Sequence, residues 1–412
     1  MSNTISLCAK QTEASLIETL NKTRRYLLGK DLSSIQTDYI NSNRMLKEGK
    51  DSIDELIRSN RGGDTGLHGF IGERAQVFLS NSMTLVRGEG AHYSLIDDNG
   101  PTDYLRDNTM IQQKACRSGG SLGLDQIEAH ANHYAFYVSS GGIYQIPKDF
   151  YERYRELSFT PEEIAKKWIK EDYRQWIKVT NFNRNNPDIT VEPMNFRYDE
   201  IQVNTINDTI QRVKAENRQV YMSRREDAIY IHRPTYKECL KASSVSAIID
   251  GSLDGCKCIY DKLCEKKISD FNICDAKDIT LCTLKGAGSG ALRSSAVYFI
   301  TNTTNLSAPT ASATITATCN IAKDSKDVLT GKITPQEYAE KSAWTCADAA
   351  VSVLATKLGS KYIQKMLPGK LKSFGFLGPL ISNLIILPAY NITKTTIINK
   401  SKDKEERSNE QQ

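Results

Sequence analysis

The fold of this chain is decided by the stretch Pro101-Thr-Asp-Tyr-Leu-Arg-Asp-Asn-Thr-Met-Ile-Gln-Gln-Lys114. It predicts two short strands about a turn at Asp107-Asn108, since Asp and Asn favour turns and β-branched or aromatic residues favour strands. Alternate residues of a strand share a face, so Gln112 and Lys114 are expected to point the same way. We therefore predict a hairpin whose second strand presents a polar pair on one face.

The segments on either side of this hairpin predict a compact α/β domain over residues 61–158. Residues 70–79 have apolar side chains at helical spacing, and Glu73 lies about one turn from them. Residues 92–97 and 141–147 are typical of short strands, and residues 124–137 of a helix. The order is a helix, then a meander of strands, then a helix and a last strand.

The whole chain is expected to be α+β and mostly helical. Its 412 residues exceed one ordinary core. Apolar residues at mixed helical spacings before the glycine-rich breaker at residues 61–66 predict one or two amphipathic helices. Composition then divides the chain into a helical arm (1–60), the α/β domain (61–158), a basic helical connector (159–235), a small-residue helical module (236–400) and a disordered tail (401–412).

The polar residues of the α/β domain are of the kinds that bind a metal ion and a phosphate. Hard divalent cations prefer oxygen ligands, which the carboxylates of Glu73 and Asp103 supply and the amide of Gln112 supplements. Lys114 is expected to hold the attacking water and to offset charge on the phosphate. The pattern predicts a Mg²⁺ or Mn²⁺ centre.

Asp103, followed after eight residues by Gln112-x-Lys114, resembles the signature of the PD-(D/E)xK nuclease superfamily. Glu73 matches the acid often found on the first core helix of that family. The resemblance covers about residues 66–150 and implies a small nuclease-like α/β domain that hydrolyses nucleic-acid phosphodiesters. In that case Glu73, Asp103 and Gln112 bind the metal and Lys114 positions water.

One position departs from the family, which usually has Asp or Glu where this chain has Gln112. A carboxamide binds a metal more weakly, so either Asp97, Asp98 or Glu73 compensates or the site is inactive. The alternative is that Glu73, Asp103 and Lys114 are ordinary surface or ion-pair residues.

The chain is also similar to uncharacterised bacterial proteins over residues 66–146 and in its Gly/Ala-rich C-terminal part. That similarity implies no activity by itself. A nuclease domain joined to a small-residue module is the architecture expected of a bacterial toxin or a phage-defence effector, which is an argument by analogy.

The segment from Arg212 to Lys241 is rich in basic residues with interleaved tyrosines, and the net charge of the chain is +5. On a helix beside a nuclease site, such residues bind the phosphate backbone of DNA or RNA and stack exposed bases. The candidates are Lys214, Arg218, Arg224 and Arg225. The alternative is a solvated helix without a ligand.

Two histidines of the α/β domain, His130 and His133, are three residues apart on one helix face. Such a pair can bind zinc or act as general acid and base. Without a nearby acidic or cysteine ligand, the pair is more typical of a solvated surface.

The C-terminal module leaves two interpretations open. Small residues such as those of 286–291 allow helices to approach closely, which favours a packed module that also oligomerises. The most apolar segment, residues 374–390, is shorter than the about 20 residues of a spanning helix and is interrupted by Pro379 and Pro388, so membrane contact over residues 280–400 is the second interpretation. The alternative to a nuclease is therefore a non-catalytic scaffold that associates with itself or with a membrane.

The first residues lack a basic segment followed by an apolar run, so we expect no secretory signal. The expected location is the cytoplasm, or the inner face of the membrane if the C-terminal module touches it.

Overall fold

The computed structural model of the protein describes residues 2–59, 63–96, 98, 100–116, 122–265, 272–366 and 377–409. The chain forms two compact units. The sheet unit comprises residues 28–231, and the helical unit comprises residues 1–27 together with 232–412. The class is α+β, since the chain combines long helices with one small mixed sheet.

The sheet unit begins in the second part of a helix that spans 58 residues. Its helices are α1 (Ser2–Ser59, from residue 28 onward), α2 (Gly63–Arg74), a π-helical segment (Ala75–Leu79), α3 (Ser80–Arg87), α4 (Leu124–His133), α5 (Ala135–Ser139), α6 (Lys148–Phe159), α7 (Glu162–Ala165), α8 (Lys170–Asn185), a 3₁₀ turn (Tyr198–Ile201) and α9 (Ile206–Ile231). Its strands are β1 (Tyr93–Leu95), β2 (Tyr104–Arg106), β3 (Thr109–Gln113), β4 (Ile143–Ile146) and β5 (Val191–Pro193).

The predicted hairpin is present, with β2 paired antiparallel to β3. Asp107 and Asn108 form its two-residue turn, with φ angles of 48° and 70°. Two consecutive positive φ angles define the type I′ turn, whose twist matches that of the adjoining strands. The register sets Tyr104 opposite Ile111.

The sheet continues beyond this hairpin in sequence order, β1 to β5. β3 pairs parallel with β4, and β4 pairs parallel with β5. A parallel pair needs a long crossover, which α4 and α5 supply in the first case and α6 to α8 in the second.

Helices cover both faces of the sheet. Val77 of the π-helical segment packs with Tyr104 and Ile111 on one face. Tyr137 of α5 packs with Tyr144 of β4 in the core of the other face. Alternate residues of β3 therefore point to opposite helical layers.

The helical unit contains the first part of α1 and five further helices. These are α10 (Tyr236–Glu265), α11 (Ile273–Thr303), α12 (Ala308–Leu329), α13 (Pro335–Met366) and α14 (Leu377–Asn409). α10 and α11 approach closely at their glycines, as the small-residue composition predicts. A Cβ at Gly290 would lie 2.6 Å from the Ser246 carbonyl oxygen, and one at Gly255 would lie 2.5 Å from Thr283 Oγ1.

The structure divides the chain differently from the sequence. Within the predicted arm of residues 1–60, Ser2–Ser59 form a single helix, of which the part before residue 28 belongs to the helical unit and the rest to the sheet unit. The sheet unit does not end at residue 158, because β5 and α8 of the predicted connector belong to its sheet and core. These long-range pairings have no local signal in the sequence.

The predicted disordered tail also differs, because α14 continues to Asn409. Residues 402–407 are Lys-Asp-Lys-Glu-Glu-Arg, in which Lys402 and Glu406 have the i,i+4 spacing that supports a helix. Residues 410–412 of that tail and residues 374–376 of the apolar segment lie outside the described residues. Within the described part of the chain, every helix is too short or too polar to cross a membrane.

Candidate functional site

Asp103 immediately precedes β2 and is fixed against β3. Its N–H donates to the Ile111 carbonyl oxygen at 2.9 Å, which extends the hairpin by one residue. Its Oδ2 accepts from Gln112 Nε2 at 2.7 Å and from the Gln113 N–H at 2.6 Å. The carboxylate is therefore held beside the end of β3, where the sequence predicts the site.

Lys114 follows β3 directly and lies in the same place. Its N–H donates to the Gln145 carbonyl oxygen of β4 at 2.9 Å, which fixes the backbone. Burial lowers the pKa of its ammonium group, and the charges of Asp103 and Glu73 oppose that shift. The charges of both predicted carboxylates therefore act on this lysine. Asp103 is fixed to β3 by hydrogen bonds, whereas Glu73 comes from α2, whose Gly69 carbonyl oxygen accepts from Gln113 on the opposite face of β3.

Glu73 comes from α2, one residue before Arg74 and the π-helical segment. Its Oε2 lies 3.1 Å from Arg74 Nη1, and the Arg74 side chain is only 4% exposed. The Arg74 charge also favours the ionised form of Asp103. Glu73 is therefore paired with the buried Arg74, and the Arg74 charge also acts on Asp103.

The sequence did not predict the role of Arg74. Its neighbour Glu73 was assigned to a metal, and the pairing depends on how the helix packs on the sheet. The adjacent π-helical turn is a feature found often at functional sites, but periodicity does not reveal it.

Burial raises the pKa of the Asp103 carboxyl group. The Gln113 N–H bond, the Lys114 charge, the Gln112 amide and Arg74 oppose this effect in decreasing order. A carboxylate kept in a partly apolar site is under-solvated, which makes it a stronger ligand for any cation that enters.

The predicted ligands meet only some of the requirements of a hard divalent cation. Glu73, Asp103 and the amide of Gln112 offer oxygen donors. In the structure the Gln112 NH₂ group faces Asp103, and its Oε1 is buried without a hydrogen-bond partner among the described residues. A flip of the Gln112 side-chain amide exchanges the positions of its oxygen and nitrogen with almost no change in shape. Oε1 can therefore take the place of Nε2 beside the Asp103 carboxylate. No group of three or more His, Cys, Asp or Glu suited to a metal exists among the described residues.

An aromatic cluster borders the same face of β3. The Tyr137 hydroxyl donates to the Met110 and Ile143 carbonyl oxygens at 3.1 and 2.9 Å, and so ties α5 to two strands. His130 Nδ1 lies 2.9 Å from the Tyr144 hydroxyl, and Tyr144 is the cross-strand partner of Gln112.

His130 is neutral at physiological pH. Burial lowers its pKa to about 4, and the charges of Lys114 and His133 add to that effect. The predicted alternative of a zinc site at His130 and His133 lacks a third ligand of the His, Cys, Asp or Glu type among the described residues. His130 is instead a packed residue that hydrogen-bonds a tyrosine.

The four basic residues predicted to bind nucleic acid all lie on α9. Lys214 and Arg218 are exposed. Arg224 donates to Asp38 Oδ2 at 2.9 Å and to the Val86 carbonyl oxygen at 2.6 Å, so it joins α9 to α1 and α3. Arg225 lies over the Tyr221 ring, with 5.5 Å between its guanidinium carbon and the ring centroid. Lys214 and Arg218 therefore remain the best placed of the four for a ligand.

Comparison of the chain with protein-family models, curated proteins and solved structures found no match.

Proposed function

We propose that this protein is a divalent-metal-dependent phosphodiesterase that acts on nucleic acid, with a centre similar to that of the PD-(D/E)xK superfamily. The observation that carries this proposal is the Asp103 carboxylate, which Gln112 and Gln113 fix at the end of β3 where Lys114 follows, with the charge of Glu73 acting on the same lysine. Glu73 comes from α2, Asp103 immediately precedes β2, and Lys114 immediately follows β3.

The residues of the site have distinct tasks in such a reaction. Glu73, Asp103 and Gln112 would hold Mg²⁺ or Mn²⁺, which when bound polarises a phosphate oxygen and lowers the pKa of a water molecule. Lys114 orients the attacking water and offsets the charge that develops on the phosphate. Arg74 pairs with Glu73, and its charge favours the ionised form of Asp103 against the effect of burial.

Nucleic acid is the proposed substrate because exposed basic residues lie on α9. Lys214 and Arg218 contact phosphates, which adds affinity independent of sequence. A role as a bacterial toxin or a phage-defence effector remains a proposal by analogy.

A second candidate is a non-catalytic scaffold, and one contact favours it. The Gln112 amide already donates to Asp103, so the carboxylate is satisfied without a metal. The helical unit would then mediate association with other copies of the chain or with a membrane surface. Its exposed large apolar residues, such as Phe299 and Ile392, support this role.

The experiment that tests the proposal is incubation of the purified full chain with plasmid DNA and with total RNA, in Mg²⁺, Mn²⁺ or EDTA. Asp103→Asn is the test variant, and Asp107→Asn in the hairpin turn is the matched control. We expect metal-dependent cleavage that Asp107→Asn keeps and Asp103→Asn loses by at least about a hundredfold. If Asp103→Asn cleaves as well as wild type, this site is not the catalytic centre. If wild type cleaves neither substrate with either metal, the scaffold is the better account.

A further inference from the structure

A second site lies in the helical unit, far along the chain from the residues discussed so far. It is a cavity of about 920 Å³ between α10, α11, α12 and the first part of α1. Ligand pockets measure roughly 300–1,000 Å³ and combine apolar walls with a few polar groups. This cavity has both, with apolar walls from Leu253, Leu292, Ala296 and Ile315.

One group of charges at this cavity is already paired. Arg293 Nη2 lies 2.8 Å from Asp250 Oδ2, and the same nitrogen donates to Glu13 Oε2. All three side chains are at most 10% exposed. Burial raises the pKa of Glu13 to about 7, so the group carries little net charge near neutral pH. Arg293 and Asp250 are therefore not available to a ligand.

Four further charged residues line the cavity without an ion pair among the described residues, namely Lys10, Asp254, Lys257 and Asp261. Lys10 is half-buried and the other three are exposed, and the charge of Asp254 acts on Lys10. Burial lowers the pKa of Lys10, which shows that its ammonium group is poorly solvated. Gly286 leaves the space that Asp254 occupies, because a Cβ there would lie 2.8 Å from Asp254 Oδ2.

A third group also lacks a partner. Thr316 lines the cavity, and its Oγ1 is buried without a hydrogen-bond partner among the described residues. A buried hydroxyl without a partner destabilises a protein unless a ligand or water satisfies it. The cavity thus offers cations and carboxylates, among them the half-buried Lys10 and the exposed Asp254 beside Gly286, and one buried hydroxyl beside an apolar wall.

We propose that this cavity binds a zwitterionic amphiphile. Its anionic group contacts Lys10, its ammonium group contacts Asp254, and its apolar chain lies against Leu253, Leu292 and Ile315. An anion without an ammonium group would be repelled by Asp254, and a cation without an anionic group would be repelled by Lys10. A zwitterion compensates both.

Three probes with the same acyl or alkyl chain test the charge requirement. They are myristoyl lysophosphatidylethanolamine, myristate and tetradecylamine, titrated calorimetrically into the full chain below their micelle concentrations. We expect the zwitterion to bind tenfold to a hundredfold more tightly than either singly charged probe, on the order of one charged hydrogen bond.

Substitutions at Lys10 and Asp254 test which group of the ligand each residue contacts. In Lys10→Met, the zwitterion should no longer bind more tightly than tetradecylamine. In Asp254→Asn, it should no longer bind more tightly than myristate. Lys257→Met and Asp261→Asn are the comparison variants, because these residues line the same cavity further along α10 than Asp254 and the proposal assigns them no contact, so they should leave the preference unchanged.

Neither test substitution breaks an ion pair, and circular dichroism verifies that each variant is folded. The proposal is wrong if wild type binds all three probes equally, binds none of them, or keeps its preference in both test variants. Because binding is the readout, these results are independent of whether the sheet unit cleaves nucleic acid.

Discussion

The side-chain amide of Gln112 donates a hydrogen bond of 2.7 Å to the carboxylate of Asp103, while its own Oε1 is buried without a partner among the described residues. This is the position at which the chain departs from the PD-(D/E)xK pattern. The amide occupies the side of Asp103 that a cation would otherwise share. Whether the site holds a metal therefore depends on this one side chain.

Gln112→Glu should convert the site into a stronger metal centre. The second carboxylate would face Asp103 without a donor, so the metal-free variant should be less stable than wild type by about 1–3 kcal/mol. A divalent cation relieves that repulsion. We expect Mn²⁺ to bind at least about tenfold more tightly than to wild type and to restore the melting temperature.

Gln113→Glu is the control for this prediction. Gln113 is the next residue of β3 and donates to the Gly69 carbonyl oxygen on the opposite face of the sheet. That variant should also lose stability, but Mn²⁺ should not restore it. Equal rescue of both variants would mean that the cation acts elsewhere.

Asp103→Asn should stabilise the fold while it abolishes cleavage. Burial raises the pKa of Asp103 in the folded protein above its unfolded value. The folded protein then retains the proton to a higher pH than the unfolded chain does. Stability therefore falls as pH rises from the unfolded-state pKa through the folded-state pKa, and the penalty is complete above the folded-state pKa.

The measurement is the free energy of unfolding in urea for wild type and Asp103→Asn. It is made between roughly pH 4, where carboxyl groups titrate, and about pH 8. Asparagine keeps an oxygen for the Gln112 and Gln113 donors, so the variant should be the more stable protein at pH 8 and should lose that advantage toward pH 4. A variant that is less stable at pH 8 would show that Asp103 is a structural residue.

The basic residues of α9 should separate into two roles. Arg224→Met should lower stability by about 1–3 kcal/mol, because Asp38 and the Val86 carbonyl oxygen lose their donor. Lys214→Ala and Arg218→Ala should leave stability unchanged. Each should instead reduce the salt dependence of nucleic-acid binding by about one ion, measured by fluorescence anisotropy across salt concentrations. Unchanged salt slopes in both variants would exclude α9 from the interface.

The close contact between α10 and α11 should tolerate no side chain at Gly290. Gly290→Ala places a Cβ 2.6 Å from the Ser246 carbonyl oxygen, and such overpacking typically destabilises by about 1–3 kcal/mol. Gly288→Ala is the matched control on the same helix, because nothing lies within 4 Å of its Cβ position. Its greater helix propensity should stabilise α11 by up to about 1 kcal/mol.

Hydrogen exchange of α10 and α11 peptides, followed by mass spectrometry, measures both effects where they occur. Faster exchange in Gly290→Ala and slower exchange in Gly288→Ala are expected. Similar exchange in the two variants would contradict the close packing.

The hairpin could be predicted because its signals are local. Asp107-Asn108 adopts the two positive φ angles of the turn, and the alternation along β3 sets which residues face Asp103. By contrast, β5 pairs with a strand more than forty residues away, across three helices. No periodicity within a three-residue strand signals such a partner.

The site could be predicted in its residues but not in its contacts. Glu73, Asp103 and Lys114 were expected together; the structure fixes Asp103 at the end of β3, and the charges of both carboxylates act on Lys114. The buried Arg74 beside Glu73 and the direction of the Gln112 amide depend on tertiary packing, which the spacing of residues does not encode. Similarly, Arg224 and Lys214 belong to the same basic segment, and the sequence does not distinguish them. Only the structure shows that Arg224 joins helices together.

Lys114 provides the most direct test of the central claim, since both carboxylates act on it. The measurement is the single-turnover rate of nucleic-acid cleavage at saturating Mg²⁺ for wild type, Lys114→Met and Lys148→Met, the last being an exposed lysine of the same unit. We predict that Lys114→Met lowers the rate by at least about a hundredfold and that Lys148→Met leaves it unchanged. Cleavage by Lys114→Met at the wild-type rate would contradict a phosphodiesterase centre at this site.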